Sequence, residues 1–97
     1  MKYLLPIMAL IFASNSFGKD AAKGKQLYAT CIQCHGEAGQ GNPKEQGPKI
    51  SGQYDWYILS QLEAFQKGTR KNEKMMPYIK NLSKKDFEDL AAYVSGL

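Results

Sequence analysis

The segment Cys31-Ile32-Gln33-Cys34-His35 constrains this 97-residue chain more than any other. Two thiols three positions apart can each add across a vinyl group of one haem, and a histidine directly after the second cysteine is placed to bind the haem iron. The motif therefore predicts one covalently attached c-type haem, held by Cys31, Cys34 and His35.

Other uses of a Cys-x-x-Cys pair make demands that the rest of the chain meets poorly. A structural zinc site needs four nitrogen or sulfur ligands, and the chain offers two cysteines and one histidine. A thioredoxin-type redox pair is expected within a βαβ pattern, which the flanking segments do not show. A structural disulfide would close a very small loop and leave His35 without a role. Haem attachment is favoured over these three alternatives.

Residues 1–18 have the form of a secretory signal peptide. Lys2 gives a positive start, an almost unbroken apolar run extends over 3–13, and small residues close the segment. A membrane anchor is the alternative, but the run is far shorter than the roughly 20 apolar residues of a spanning helix, and Pro6 interrupts it. We expect a cleaved signal and a mature domain of residues 19–97, soluble in the periplasm and not inserted in a membrane.

The charge pattern favours a protein partner over nucleic acid. Removing residues 1–18 takes away only Lys2, so the mature net charge is 12 basic minus 9 acidic residues, or +3. The remaining lysines are interspersed with acids, Arg70 is the sole arginine, and no nucleic-acid motif is present. The lysines could form a positive face toward an acidic partner surface.

Hydrophobic spacing predicts helices at both ends of the mature domain. The first runs from Asp20, a possible N-cap, to Cys31, and Gly24 within it suggests close approach by another backbone. The last follows Ser83, which forms a weak capping-box variant with Asp86, and it continues to the end of the chain.

The stretch between these helices is irregular apart from one further helix. Residues 36–52 are rich in glycine and polar residues and lack periodicity, which predicts a loop. A helix over 54–67 follows, with Asp55 as a possible cap and Gly68 at its end. Met75-Met76-Pro77 is placed on or beside a loop, because proline disfavours helical dihedrals in the residue before it. The mature domain is therefore predicted to be all-α. At about 79 residues its apolar core alone would be marginal, so a covalently bound group is expected to stabilise the fold, and haem would be that group.

The sequence narrows the choice of iron ligands. His35 is the only histidine, so two histidines of this chain cannot bind one iron. A thioether sulfur suits the opposite face because it stabilises the ferrous state. Met1 and Met8 leave with the signal, so Met75 and Met76 are the candidates. Adjacent methionines often fill cores, but these two lie in a polar stretch, and both remain open as ligands.

Neighbouring polar groups could orient the histidine and the haem. The second ring nitrogen of His35 needs an acceptor, and the carbonyl of Pro48 in the irregular loop is the candidate. Aromatic residues at helical spacing are usually core residues. Four side chains are nonetheless candidates for hydrogen bonds to the propionates: Gln53, Trp56, Tyr57 and Arg70.

These segments resemble the class I c-type cytochromes, specifically the small exported bacterial monohaem members and the similar halves of dihaem ones. The resemblance covers most of 20–97, and only the haem motif is specific by itself. It rests on Gly24-Lys25-x-x-Tyr28, Cys31-Ile32-Gln33-Cys34-His35-Gly36, Gly47-Pro48-Lys49-Ile50-Ser51-Gly52-Gln53, Tyr57 to Gly68, Arg70, Met75, and Leu82-Ser83-x-x-Asp86 to Tyr93.

The resemblance implies a small class I cytochrome c fold, in which the N- and C-terminal helices pack together around the haem. Gly24 and Tyr28 would then meet Leu90 and Tyr93.

The resemblance also implies ligand roles. Pro48 matches the proline whose carbonyl holds the ligand histidine. The family's axial methionine commonly lies seven residues before the position of Leu82, which selects Met75, with Met76 as the alternative.

A His/Met-ligated iron has no open position for substrate, so the expected activity is one-electron transfer and not enzymatic catalysis. The resemblance implies redox partners such as a cytochrome bc complex as donor and a terminal oxidase or peroxidase as acceptor, with the carrier acting as a monomer. The alternatives are a haem-based sensor or small-ligand binder with a weak or absent methionine ligand, and a non-haem thiol-disulfide protein.

Overall fold

The computed structural model describes residues 19–97. The predicted signal peptide and its cleavage point lie outside the described residues. Within 19–97 the chain forms five helices and no strand, so the all-α prediction is confirmed. The helices are α1 (Ala21–Tyr28), α2 (Ile32–His35), α3 (Asp55–Lys67), α4 (Met76–Ile79) and α5 (Lys84–Val94), with a 3₁₀ turn at Pro43–Glu45.

The first helix begins as predicted and ends earlier. The Asp20 carboxylate accepts a hydrogen bond from Lys23 N, which confirms the N-cap. α1 stops at Tyr28, because the amide of Ala29 turns back to the carbonyl of Gln26. The prediction of a helix through Cys31 was therefore wrong, and the haem-attachment motif forms the separate short helix α2.

The middle helix has its predicted end but a different cap. Gly68 adopts the left-handed conformation (φ 82°) that closes α3, as expected. Asp55 is the first helical residue and Tyr54 is the N-cap residue, so the cap prediction was wrong. The Asp55 carboxylate is already occupied, since it accepts from the amide of Trp56 and pairs with the ammonium group of Lys19.

The methionine segment is more helical than predicted. Met75 has helical dihedrals (φ −80°, ψ −29°), and Met76 opens α4. Proline is compatible with position 77 because backbone N–H groups in the first turn of a helix have no intrahelical acceptor, so the N–H that proline lacks is not needed there. Burial of Ile79 against Phe65 then stabilises the turn and overrides the local bias at Met76.

The last helix carries the predicted capping box. Ser83 Oγ accepts from Asp86 N at 3.1 Å, and the Asp86 carboxylate accepts from Ser83 N at 3.0 Å. α5 ends at Val94, so the final residues 95–97 are not part of it. Its inner face buries four apolar residues: Phe87, Leu90, Ala91 and Val94.

The first and last helices pack against each other, as the resemblance implied. Gly24 faces the backbone of α5 so closely that an added Cβ would lie 2.0 Å from the carbonyl oxygen of Asp89. Tyr28 is buried with Leu90, and its ring centroid lies 5.4 Å from that of Tyr93. This contact fixes α1 against α5.

A buried carboxylate reinforces the same contact. Asp89 is 3% exposed, and its Oδ1 accepts from the amide of Asp20 at 2.9 Å and from the ammonium group of Lys85. Burial alone would raise the pKa of Asp89, but these two donors outweigh it and hold the pKa below its usual range. The N-terminus of α1 is thus anchored to α5 through an ionised side chain.

The packing predicts a large effect of Gly24→Ala. Alanine favours helices over glycine by about 1 kcal/mol, but the clash with a backbone oxygen costs about 3 kcal/mol. We expect the free energy of unfolding to fall by about 2 kcal/mol in denaturant titrations of the haem-loaded protein. Gly96→Ala is the matched control, because its Cβ would meet nothing nearer than Tyr93 O at 3.5 Å, and it should change stability little. Equal stabilities of the two variants would contradict the packing argument.

Candidate functional site

A cavity of about 400 Å³ opens between the helices and the 45–50 loop. This volume is in the usual range for a bound organic cofactor. Its wall brings together the haem-attachment motif, Pro48 and Met75. The apolar part of the wall includes Ile50, Ile58, Leu62, Phe65, Ile79, Leu90 and Val94.

The motif presents its three chemical groups to this cavity. Cys31, Cys34 and His35 all belong to the lining, and neither cysteine forms a disulfide. Burial is the main reason that the pKa of the Cys31 thiol is raised. Redox-active Cys-x-x-Cys thiols are instead activated by a lowered pKa, so the environment of Cys31 does not favour thiol-disulfide exchange.

His35 is held in one orientation by a backbone carbonyl. The ring is 8% exposed, and Nδ1 lies 2.8 Å from the carbonyl oxygen of Pro48. A carbonyl oxygen only accepts, so Nδ1 carries the hydrogen and Nε2 keeps its lone pair for a metal. The contact has the form that orients ligand histidines.

Gly47 lets the loop reach the histidine. A Cβ at this position would lie 1.6 Å from the carbonyl oxygen of Cys34, so only glycine fits where the loop crosses α2. The amides of the loop are paired locally, with Asn42 N donating to Gly47 O at 2.8 Å. The close crossing places the carbonyl of the next residue, Pro48, beside His35.

The two methionines have different surroundings. Both are half-buried against the cluster of Phe65, Ile79 and Phe87. Met75 also lines the cavity, whereas Met76 is not part of the lining that the described residues form. Of the two methionines, Met75 is therefore the one that borders the cavity.

Three of the four candidate propionate contacts reach the cavity. Gln53, Tyr57 and Arg70 belong to the lining. Arg70 donates to the side chain of Gln61, and its guanidinium carbon lies 4.5 Å from the centroid of the Phe65 ring. Trp56 is 63% exposed and lies outside the lining formed by residues 28–94, so the structure does not bring it to the site.

Sequence reasoning missed the side chains that tie the methionine segment in place. Lys74 donates to the side chain of Gln46 at 2.6 Å, which joins the two loops that border the cavity. Gln66 donates to the carbonyl oxygen of Ile79, the last residue of α4, and to that of Leu82, three residues further on. Polar residues at these positions carry no distinctive spacing, so no sequence signal separates them from solvated surface residues.

The residues present fit a haem. Two cysteines, a histidine whose ring is oriented by Pro48, and one methionine line the same largely apolar cavity. This donor set matches the attachment and axial ligation of a c-type haem. Among residues 19–97, no group of three or more His, Cys, Asp and Glu side chains is arranged to hold a metal ion.

No helix within the described part of the chain is long and apolar enough to cross a membrane.

Comparisons with known proteins agree with the geometry. The family model described as cytochrome c matches residues 21–97. Cytochrome c-554(548) of Halomonas halodenitrificans is 39% identical over 80 residues, which cover 79% of this chain and 95% of that protein. Cytochrome c4 of Pseudomonas aeruginosa is 39% identical over 93 residues, which cover 96% of this chain and 45% of that protein.

A solved structure gives the same answer for the fold. The crystal structure of reduced recombinant cytochrome c4 from Pseudomonas stutzeri superimposes with a TM-score of 0.73 at 33% identity. The match covers 79% of this chain and 47% of that one. The chain therefore spans nearly the whole of one relative and about half the length of cytochrome c4.

Proposed function

The chain belongs to the cytochrome c family and carries covalent haem c, and from that premise we propose that it is a periplasmic one-electron carrier with His35 and Met75 as iron ligands. Cys31 and Cys34 hold the haem through thioether bonds, and the carbonyl of Pro48 orients His35. When bound, the haem supplies an iron that alternates between the ferrous and ferric states.

One observation carries the proposal: the oriented imidazole of His35 and the thioether of Met75 line the same apolar cavity. An iron held on both faces has no free position for a substrate, which favours electron transfer over an enzymatic reaction. Thioether ligation also raises the reduction potential relative to harder ligands. The protein's part is to fix both ligands and to exclude water from the metal.

Charge at the cavity supports docking to an acidic redox partner. Three cationic side chains line the cavity, Lys49, Arg70 and Lys74, against one carboxylate, that of Glu45. Complementary charge steers encounter and raises association rates, and salt screens this effect. A donor such as a cytochrome bc complex and an acceptor such as a terminal oxidase or peroxidase fit this role. Tyr57 and Arg70 line the cavity and would contact the propionates in this proposal.

The first test is a visible spectrum of protein matured with the haem-attachment machinery. We expect covalent haem, a low-spin ferric form and the long-wavelength methionine-to-iron charge-transfer absorption. Stopped-flow reduction by a membrane quinol-cytochrome complex should be fast and should slow as ionic strength rises. A stable high-spin ferric form that binds small ligands would favour the sensor hypothesis, and a protein without covalent haem would overturn both.

A further inference from the structure

Gln66 makes an unusual set of contacts at the end of α3. Its Nε2 lies 3.0 Å from the carbonyl oxygen of Ile79, 2.8 Å from that of Leu82 and 3.4 Å from that of Lys80. A carboxamide nitrogen has two hydrogens, so the two short contacts can both be hydrogen bonds at once. All three neighbours are acceptors, which fixes the orientation of the amide. One side chain thus holds the backbone on both sides of residues 80–81.

The segment that Gln66 holds has little stability of its own. α4 contains four residues, and isolated helices shorter than about 12–15 residues are marginal in water. The last carbonyl groups of a helix also lack intrahelical partners. At the other end of α4, Asn72 Oδ1 accepts from the amides of Lys74 at 3.0 Å and Met75 at 3.3 Å. Side-chain hydrogen bonds therefore fix the segment both before and after the helix.

Apolar packing alone does not fix the position of this segment along α3. The half-buried Met75 and Met76 pack against Phe65, Ile79 and Phe87, and such packing is non-directional. Hydrogen bonds to the carbonyls of Ile79 and Leu82 do define a register between α4 and α3. Met75 lies one helical turn before Ile79, so a shift of the Ile79 carbonyl would move the Met75 sulfur as well.

We propose that Gln66 is a positioning residue for the methionine ligand, acting by locking the end of α4 to α3. The inference rests on the proposed ligation of iron by Met75. It predicts that loss of the two donors from Gln66 loosens the methionine without removing any atom of the haem site.

The test uses Gln66→Glu in the haem-loaded protein. The substitution keeps the size of the side chain but places a carboxylate, which only accepts, against three carbonyl oxygens. We expect a weaker methionine-to-iron absorption at neutral pH and about tenfold tighter binding of imidazole to the ferric iron, as a lost hydrogen bond implies. Lowering the pH through the pKa of the introduced carboxyl should partly restore the absorption, because the protonated form donates again.

Two controls separate positioning from general effects. Gln26→Glu makes the same change of charge on the exposed side of α1, and its imidazole affinity should equal that of the wild type. Gly24→Ala lowers stability at the contact of α1 with α5, far from the methionine in sequence, and it should leave imidazole affinity within about twofold. An increase in affinity confined to Gln66→Glu would support a positioning role.

Amide hydrogen exchange at Lys80 and Leu82 provides a readout that does not depend on ligation. Both amides donate to carbonyls of α4, and their exchange should be faster in Gln66→Glu. A wild-type absorption and an unchanged imidazole affinity in Gln66→Glu would overturn the inference. Absence of the absorption in the wild type would refute the proposed ligation of iron by methionine. Independently of that result, unchanged hydrogen exchange in Gln66→Glu would refute the proposal that Gln66 holds α4 against α3.

Discussion

The double variant Cys31→Ala, Cys34→Ala is expected to be largely unfolded at room temperature. A cavity of about 400 Å³ lies at the junction of α1, α3 and α5. Haem attached to Cys31 and Cys34 would occupy it, and without attachment the cavity would have no covalently held occupant. The buried apolar residues are few for a domain of this size: Tyr28, Phe65, Ile79, Phe87, Leu90, Ala91 and Val94. Small domains depend on such staples, because their apolar cores are marginal. Circular dichroism should show most of the helical signal lost and no cooperative melting transition.

Ile32→Ala is the matched control for that experiment. Ile32 lies between the two cysteines, is exposed and is not part of the cavity lining formed by residues 28–94. Its truncation leaves the attachment chemistry intact, so we expect covalent haem and a stability close to that of the wild type. Native-like helicity with cooperative melting in the double cysteine variant would show that the polypeptide folds without its cofactor.

The helix ends were predictable from the sequence where the capping side chain and the amide that it binds are close neighbours in the chain. The side chain of Asp20 caps α1, and Ser83 with Asp86 caps α5, because the donors and acceptors lie within three residues of each other. The same rule failed at Asp55, whose carboxylate pairs with Lys19, 36 positions away. It also failed at Met76, where burial of Ile79 against Phe65 of α3 outweighs the bias that proline imposes. At both positions the local conformation depends on a contact with a residue far away along the chain. The local sequence pattern carries no information about such a contact.

The chemical groups of the site were predictable for a different reason. Covalent attachment needs two thiols and one imidazole in a fixed local order, so Cys31, Cys34 and His35 are visible as a motif. The crossing of Gly47 over Cys34 and the hold of Gln66 on α4 are tertiary contacts. They become visible only when the loop and the helices are placed together.

Met75→Ala is expected to abolish the methionine-to-iron absorption, whereas Met76→Ala should preserve it. Met75 lines the cavity and Met76 does not, although both pack against Phe65, Ile79 and Phe87. Each truncation removes a half-buried apolar side chain and should lower the free energy of unfolding by about 2 kcal/mol. A loss of stability is therefore expected for both variants, and the spectrum is the measurement that identifies the ligand.

Each methionine variant serves as the control for the other, because they share a cluster and a substitution. The ferric form of Met75→Ala should bind imidazole far more tightly than the wild type, since no internal sulfur competes for the iron. Its reduction potential should fall, because thioether ligation favours the ferrous state. Loss of the absorption in Met76→Ala alone would move the ligand to Met76 and require α4 to rotate toward the cavity. Loss of the absorption in both variants would mean that the ligand's position depends on the apolar cluster packed against α4. The packing of Phe65, Ile79 and Phe87 would then matter as much as which methionine binds the iron.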